Sequence, residues 1–320
     1  MDQIRAEVRG SIGIIILINP PHNYMTSTMV RELDRITLEW ASNPAIRSII
    51  ITGGVEGIFI THYSIEEIFN GFKLFRNTPD IFRKSSIIFS LVLARLIRLL
   101  HHIPILGKAM DQILMLTPIY GLVQLECTHR VFNRLQSMDK VVIAAINGET
   151  MGGGCELALS CDFRLMADGD FRIGLIEALG GIIPGAGGTQ RLPRLLGNAR
   201  ALEMMLDGKV LTPVEAERIG LVNQVVEKDQ LMEEATALAK RLAARPRWSV
   251  RGVKRAVYSG STGSFYKGLE TEKAGFMATG FTEDASAAFE YYLEQSARGK
   301  SARQIFDSLR ERNPVKFQGK

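Results

Sequence analysis

Residues 147–162 read NGETMGGGCELALSCD, and the order of glycines and apolar residues in this stretch decides the fold. Directly ahead of it lies VVIAAI (141–146), an unbroken apolar run of the length of a buried strand. Three glycines, Gly152 to Gly154, then open a second apolar run that reads as a helix. Glycines at such a junction let the backbone turn sharply and let a ligand approach the N–H groups. The helix N-terminus adds partial positive charge at the same place. A spot of this kind holds an anion, or an oxyanion that exists only during reaction. Glu156 falls one turn inside the helix, where a carboxylate can face the same ligand. The residues alone equally allow a tight strand–helix joint whose first-turn glutamate is favoured by the dipole.

Working outward, SIGIIILI (11–18) and RSIIIT (47–52) are further apolar runs, the second closed by Gly53-Gly54. Between them Met29, Leu33, Ile36 and Trp40 recur at helical spacing, which predicts a helix over Thr26–Trp40. This β-α-β order predicts an α/β core. Downstream, Thr212, Pro213 and Glu215 form a capping-box start, Gly220 ends that helix, and LVNQVV (221–226) reads as a strand. From about residue 229 the Ala-, Glu- and Arg-rich sequence predicts helices, with Pro314–Lys320 expected as a frayed tail.

The chain has 320 residues, 46% apolar and 23% charged, the composition of an ordinary globular protein. Its net charge of +5 is unevenly placed. Between Asn70 and Leu135, nine Lys and Arg residues face only Asp80, Asp111 and Glu126, so a basic, apolar segment sits within a near-neutral remainder. Arg95 and Arg98 share one helical face there, with Leu93, Leu96, Ile97 and Leu100 on the other. The uncharged runs Ser85–Ala94 and Gln112–Leu125 both fall short of the roughly 20 residues a membrane span needs. Little aromatic interleaving and no nucleic-acid motif argue against a nucleic-acid partner. Cys127, Cys155 and Cys161 form no CxxC pair, His101-His102 belongs to no HExxH motif, and no metal site is expected. Gly299-Lys300-Ser301 imitates the end of a phosphate loop, but Glu294 occupies the required first glycine position. The start, MDQIRAEVRG, lacks an apolar leader core, which makes the cytoplasm the expected location.

A second glutamate, Glu177, lies in GLIEALGGIIPGAGGTQR (174–191), an apolar stretch between glycine groups. A carboxylate in such company is costly unless paired or used. Two readings stand. Glu156 and Glu177 can share one water as acid and base, or Glu177 can pair with Arg191 or Arg194.

Together, NGETMGGGCELALSCD and GLIEALGGIIPGAGGTQRLPRLLG resemble the crotonase superfamily, also called the enoyl-CoA hydratase/isomerase family. LINPPHNYM, RSIIITGG, VVIAAINGE and AERIGLVNQVV carry the likeness over roughly 10–65 and 138–245. The resemblance implies an α/β fold: a crotonase-like spiral of ββα repeats with a helical C-terminal trimerisation region and a helical insertion. The boundaries expected are a core over 1–240, carrying the basic insertion at about 70–135, and a helical oligomerisation region over 241–320. It further implies an acyl-CoA thioester substrate, no cofactor beyond the coenzyme A of that substrate, and a homotrimer or hexamer. Glu156 and Glu177 take the two catalytic positions, and the backbone N–H groups of Tyr63 and Gly153 the oxyanion hole. Thr61, Ser64 and Ile65 fall at substrate-binding positions. Having both glutamates favours hydration of a trans-2-enoyl-CoA, a lyase reaction. Isomerisation, thioester hydrolysis, decarboxylation and a silent acyl-CoA-binding subunit are the alternatives.

Four features depart from the family pattern. Residues 59–64 read FITHYS where the family typically has F-x-A-G-A-D, so His62 replaces a glycine and stands as a candidate for altered chemistry. Pro20 takes the place of a usual Arg or Lys. The C-terminal TEDASAAFEYYLEQSARGK lacks the usual pattern, leaving Arg298 or Lys300 to supply a basic residue. The insertion is longer than usual; it suits a cover for a large acyl group, an enlarged subunit interface or a peripheral membrane contact.

Overall fold

Strands buried on both faces are apolar at nearly every position, and the three runs follow that pattern with Ser48 and Thr52 as the buried polar exceptions. The computed structural model describes residues 2–76, 92, 95, 120–311, 314–317 and 319. Most of the insertion, including most of the amphipathic helix read around Arg95, lies outside the described residues.

The larger sheet has the order β1-β2-β3-β5-β7-β10. Its strands are β1 (Ile4–Arg9), β2 (Ile12–Leu17), β3 (Ser48–Gly53), β5 (Val141–Ile146), β7 (Phe163–Ala167) and β10 (Gln224–Val226). Only β1 runs antiparallel to its neighbour. Register places Ile14 beside Ile50 and Ile50 beside Ile143. These side chains face helix α8 (Leu231–Ala243) through Leu231, Ala235 and Ala239. The alternate residues, among them Ile15, Ile49, Ile51, Val142 and Ala144, face helix α1 (Ser27–Ser42) and its neighbours. Thr26 caps α1 by accepting from the Met29 N–H, and Met29, Leu33, Ile36 and Trp40 are all buried, as their spacing predicted.

The smaller sheet, β4-β6-β8-β9, comprises β4 (Ile58–Ile60), β6 (Glu149–Met151), β8 (Ile173–Gly174) and β9 (Val210–Leu211). Each passage of chain lays one strand in each sheet: β3 then β4, β5 then β6, β7 then β8. Helix α2 (Ile65–Arg76) follows β4. Helix α3 (Tyr120–Ser137) buries Val131, Phe132 and Leu135 in the core and packs on α1, so the end of the expected insertion is part of the core itself. Asp34 of α1 is bonded by Arg130 and Arg134 of α3. Helix α4 (Gly153–Leu159) leaves β6, and α5 (Gly188–Leu196), α6 (Asn198–Leu206) and α7 (Pro213–Arg218) follow. The Thr212–Glu215 capping box forms as read.

Two expectations need correction. Of LVNQVV only Gln224–Val226 is strand, because the Leu221 and Val222 N–H groups both turn back to the Ala216 carbonyl after α7. The tail does not fray throughout: Val315 is 9% exposed, and the Gly319 N–H donates to Asp284. The C-terminal helices are α9 (Arg247–Thr262), α10 (Phe265–Gly280), α11 (Glu283–Ala297) and α12 (Ala302–Glu311). Lys254 of α9 pins them to the core: its ammonium meets Asp162 Oδ2 at 2.7 Å and the Lys140 carbonyl at 2.7 Å. Among the described residues no helix is long and apolar enough to cross a membrane.

Candidate active site

The strand β6 runs into Gly152, whose φ of 49° and ψ of −123° belong to a region that residues with a Cβ rarely enter. Two residues on, α4 passes so close to β4 that a Cβ on Gly154 would lie 2.3 Å from the Ile60 carbonyl oxygen. Only glycine permits that approach, and it brings the first turn of α4 against residues 61–64. A Cβ on Gly153 would stand 3.4 Å from Tyr63 Cβ and 3.6 Å from Tyr63 N. Gly153 opens the helix, where N–H groups have no carbonyl one turn back to bond. The two backbone groups expected to form an oxyanion hole are therefore neighbours.

The loop before α2 is held mostly by its own backbone. The His62 carbonyl accepts from the Met25 N–H at 2.9 Å, the Ser64 N–H donates to the Met25 carbonyl at 2.7 Å, and the Thr61 carbonyl accepts from the Met151 N–H at 3.0 Å. The Thr61 hydroxyl donates to the His22 carbonyl. Ser64 accepts from the Glu67 N–H at 3.3 Å, at the start of α2, and Ile65 is 65% exposed. The Tyr63 hydroxyl donates to Glu67, which also accepts the Ser27 N–H. His62 stacks on Tyr24 with ring centroids 4.6 Å apart, and its Nδ1 lies 2.8 Å from the Tyr63 carbonyl. A carbonyl only accepts, so Nδ1 carries the hydrogen there.

Glu156 is 2% exposed. Its Oε1 accepts two backbone N–H groups, Ala186 at 2.8 Å and Gly188 at 2.7 Å. Burial pushes its carboxyl up to about 7, and the charge of Glu177 adds to the rise; the two N–H donors and Arg191 oppose it. Glu177 opens a 3-10 turn, Glu177–Gly180, and burial raises its carboxyl too. Its Oε1 would lie 3.2 Å from a Cβ on Gly152, a point only 3.6 Å from His62 Cβ. Its Oε2 is buried and has no hydrogen-bond partner among the described residues. Cys155, fully buried beside both carboxylates, has its thiol driven far above the ordinary range by burial and then by their charges.

Neither arginine pairs with Glu177. Arg191 bonds Gln136, Asn133 and the Ala186 carbonyl, while Arg194 bonds the Ser261 carbonyl and Gln190. Arg298 is engaged with Glu294, and Lys300 with Gln295, on their own subunit. Sequence reasoning missed His129 of α3, whose Nε2 lies 2.6 Å from the Gly185 carbonyl, and the Ala186 and Gly188 donors to Glu156. A histidine two turns from the end of an apolar helix carries no spacing signal, and backbone donors carry none at all.

Residues 121–299 match the profile of a protein family described as enoyl-CoA hydratase/isomerase, which takes in both glutamates and the Gly153 amide. The chain belongs to the enoyl-CoA hydratase/isomerase family. Crotonyl-CoA hydratase of Syntrophomonas wolfei is 39% identical over 52% of this chain and 64% of that protein, less than two thirds of its length. Short-chain-enoyl-CoA hydratase of Clostridium acetobutylicum is 29% identical over 92% of this chain and 96% of that one. Among solved structures, "Enoyl-CoA Hydrates Subunit I" of Geobacillus kaustophilus superposes with a TM-score of 0.72 at 30% identity, covering 92% of this chain and 95% of that one. The FITHYS loop lies beside Gly153, where a Cβ would stand 3.6 Å from Tyr63 N. The side chains of His62 and Tyr63 take partners of their own.

Proposed function

We propose that this protein is an enoyl-CoA hydratase acting on a trans-2-enoyl-CoA thioester. One observation carries the reading: two glutamates close enough to feel each other's charge flank the start of α4, Glu156 buried and held by two N–H donors, Glu177 half-buried with a buried oxygen that has no partner among the described residues. The thioester oxygen sits at the N–H groups of Tyr63 and Gly153, which draws electrons from the double bond and leaves C3 electron-poor. Glu156 in its ionised form, which its two N–H donors support against the burial that raises it to about 7, removes a proton from water as the oxygen adds to C3. Glu177, raised by burial, delivers its proton to C2, and the proton on Glu156 passes to solvent or back to Glu177 to restore the starting state. Coenzyme A enters as part of the substrate, and each proton and electron pair is placed without a further cofactor. Thr61, Ser64 and Ile65 edge the entry beside the oxyanion loop.

The finer arrangement is also proposed. The region from residue 241 onward forms the contacts of a homotrimer or hexamer, supported by the large apolar side chains it exposes: Phe265, Tyr266, Phe276, Phe281, Phe289 and Leu293. Light scattering of the purified chain reads this directly, and a monomer would reject it. The reaction is tested by mass spectrometry of enoyl-CoAs from short to long after incubation. Gain of one water, abolished in Glu156→Gln and in Glu177→Gln, is the expected result. Full turnover in both variants would overturn the assignment.

A further inference from the structure

The peptide group joining Gly185 to Ala186 is gripped at both ends. Its N–H donates to Glu156 Oε1 at 2.8 Å, and its carbonyl lies 2.6 Å from His129 Nε2. Since the carbonyl only accepts, Nε2 is the donor. We propose that His129 is a positioning residue for Glu156, acting through this single peptide unit. It ties the glycine-rich loop to helix α3, and by bonding the carbonyl it polarises the amide, so that the N–H on the far side donates more strongly to the carboxylate. Hydrogen bonds in series strengthen one another in this way. The proposal rests on Glu156 being the base of the hydration reaction.

The surroundings explain why the tether is needed. Gly185, Gly187 and Gly188 have no side chains with which to hold the loop, yet the loop supplies both donors to Glu156. His129 sits on a helix whose other face is in the core, next to buried Cys127 and Thr128. Arg191 also grips the loop, but at the Ala186 carbonyl, which belongs to the next peptide unit. Its contact therefore fixes the loop without polarising the Ala186 N–H. The charged and titratable groups facing Glu156 are Glu177, Arg191 and the Cys155 thiol, and a substitution at His129 leaves all three in place.

The experiment uses the full chain, a short trans-2-enoyl-CoA and the variants His129→Leu, His129→Ala and His129→Gln. Weakening the N–H donor makes the Glu156 carboxylate easier to protonate. The acidic limb of the kcat/KM profile should then move up by roughly half a pH unit in the Leu and Ala variants, about a threefold loss on the acid side and none on the alkaline plateau. KM should change little. Glutamine can still donate to the Gly185 carbonyl and should restore the wild-type profile. Infrared difference titration of the Glu156 carboxyl, assigned with Glu156→Gln, reads the same shift without turnover. Loss by one factor at every pH, with that titration unmoved, would overturn the proposal, as would a Gln variant behaving like Leu. The Ala and Gln pair decides the matter should Leu fail to fold. Were the wild type to leave every enoyl-CoA unchanged while the infrared shift appeared, the hydratase reading would fall and only the coupling of His129 to the Glu156 carboxyl would stand.

Discussion

Glu156→Gln should make the protein more stable at neutral and alkaline pH while removing its activity. The wild-type carboxyl is pushed up to about 7 from an ordinary 4.5, with burial the larger cause and Glu177 the next. A raised carboxyl means the folded chain holds more protons than the unfolded chain between those values. Stability then falls as pH rises through that window and levels off above it. Two and a half units at about 1.4 kcal/mol each amount to roughly 3 kcal/mol lost between about pH 4.5 and 7.5. Glutamine keeps an oxygen for the Ala186 and Gly188 N–H groups but never ionises, and it also relieves Glu177 of a like charge. The two proteins should therefore match near pH 4.5, and the variant should gain about 3 kcal/mol by pH 8, with kcat lower by roughly 10²–10⁴-fold. Urea unfolding at matched protomer concentration across pH 4.5–8.5 measures the difference. Parallel stability curves for the two proteins would refute the reasoning, for they would mean that Glu156 is not held in a buried, proton-retaining state.

Three other perturbations test separate parts of the structure. Gly152→Ala places a Cβ 3.2 Å from Glu177 Oε1 on backbone at φ 49°, so it should cost about 1–3 kcal/mol and lower kcat more than it raises KM, read by thermal melts and steady-state kinetics. Gly268→Val would set its Cβ 2.9 Å from Gly260 Cα where α9 and α10 touch; overpacking of about 1–3 kcal/mol should appear as a lower unfolding midpoint and a weaker oligomer by light scattering. Lys254→Met takes the ammonium from Asp162, which keeps the Val142 N–H and the Tyr258 hydroxyl, and should cost about 1–3 kcal/mol in urea unfolding, part of it recovered when Asp162→Asn is added; equal losses in the single and double variants would contradict the pairing.

What the sequence made legible follows from where side chains carry the information. SIGIIILI, RSIIIT and VVIAAI announced the central strands because both faces of that sheet are covered and runs of apolar residues are needed to fill them. The α1 stripe was plain because four large residues recur at one helical period. The short strands β4, β6, β8 and β9, of two or three residues each, are too brief to show any period. At the site, Glu156 and Glu177 stood out as carboxylates in apolar company. Arg191, a reasonable ion-pair partner for Glu177 on spacing alone, is turned by helix α5 toward Asn133 and Gln136 of α3, residues more than fifty positions away. The donors that do hold Glu156 are main-chain amides, which every sequence contains. The tail looked frayed because a single buried valine and one backbone bond to Asp284 leave no pattern.

The FITHYS loop shows why a departure in side chains need not be a departure in chemistry. An oxyanion site built from main-chain N–H groups depends on where the backbone lies, and the backbone of 61–64 is set by Met25 and Met151 through bonds that any residue could make. Where the family pattern has glycine and a small residue, His62 and Tyr63 bring bulk, and that bulk is anchored: the imidazole on Tyr24 and the Tyr63 carbonyl, the phenol on Glu67. Replacing glycine by a residue whose conformation fits narrows the unfolded chain's freedom, worth about 0.4–1 kcal/mol per site. The His62 Nδ1 donates to the Tyr63 carbonyl, which ties the ring to its own loop. On the proposed reading the anchored loop frames the Tyr63 and Gly153 amides, and the two glutamates are the groups that move protons.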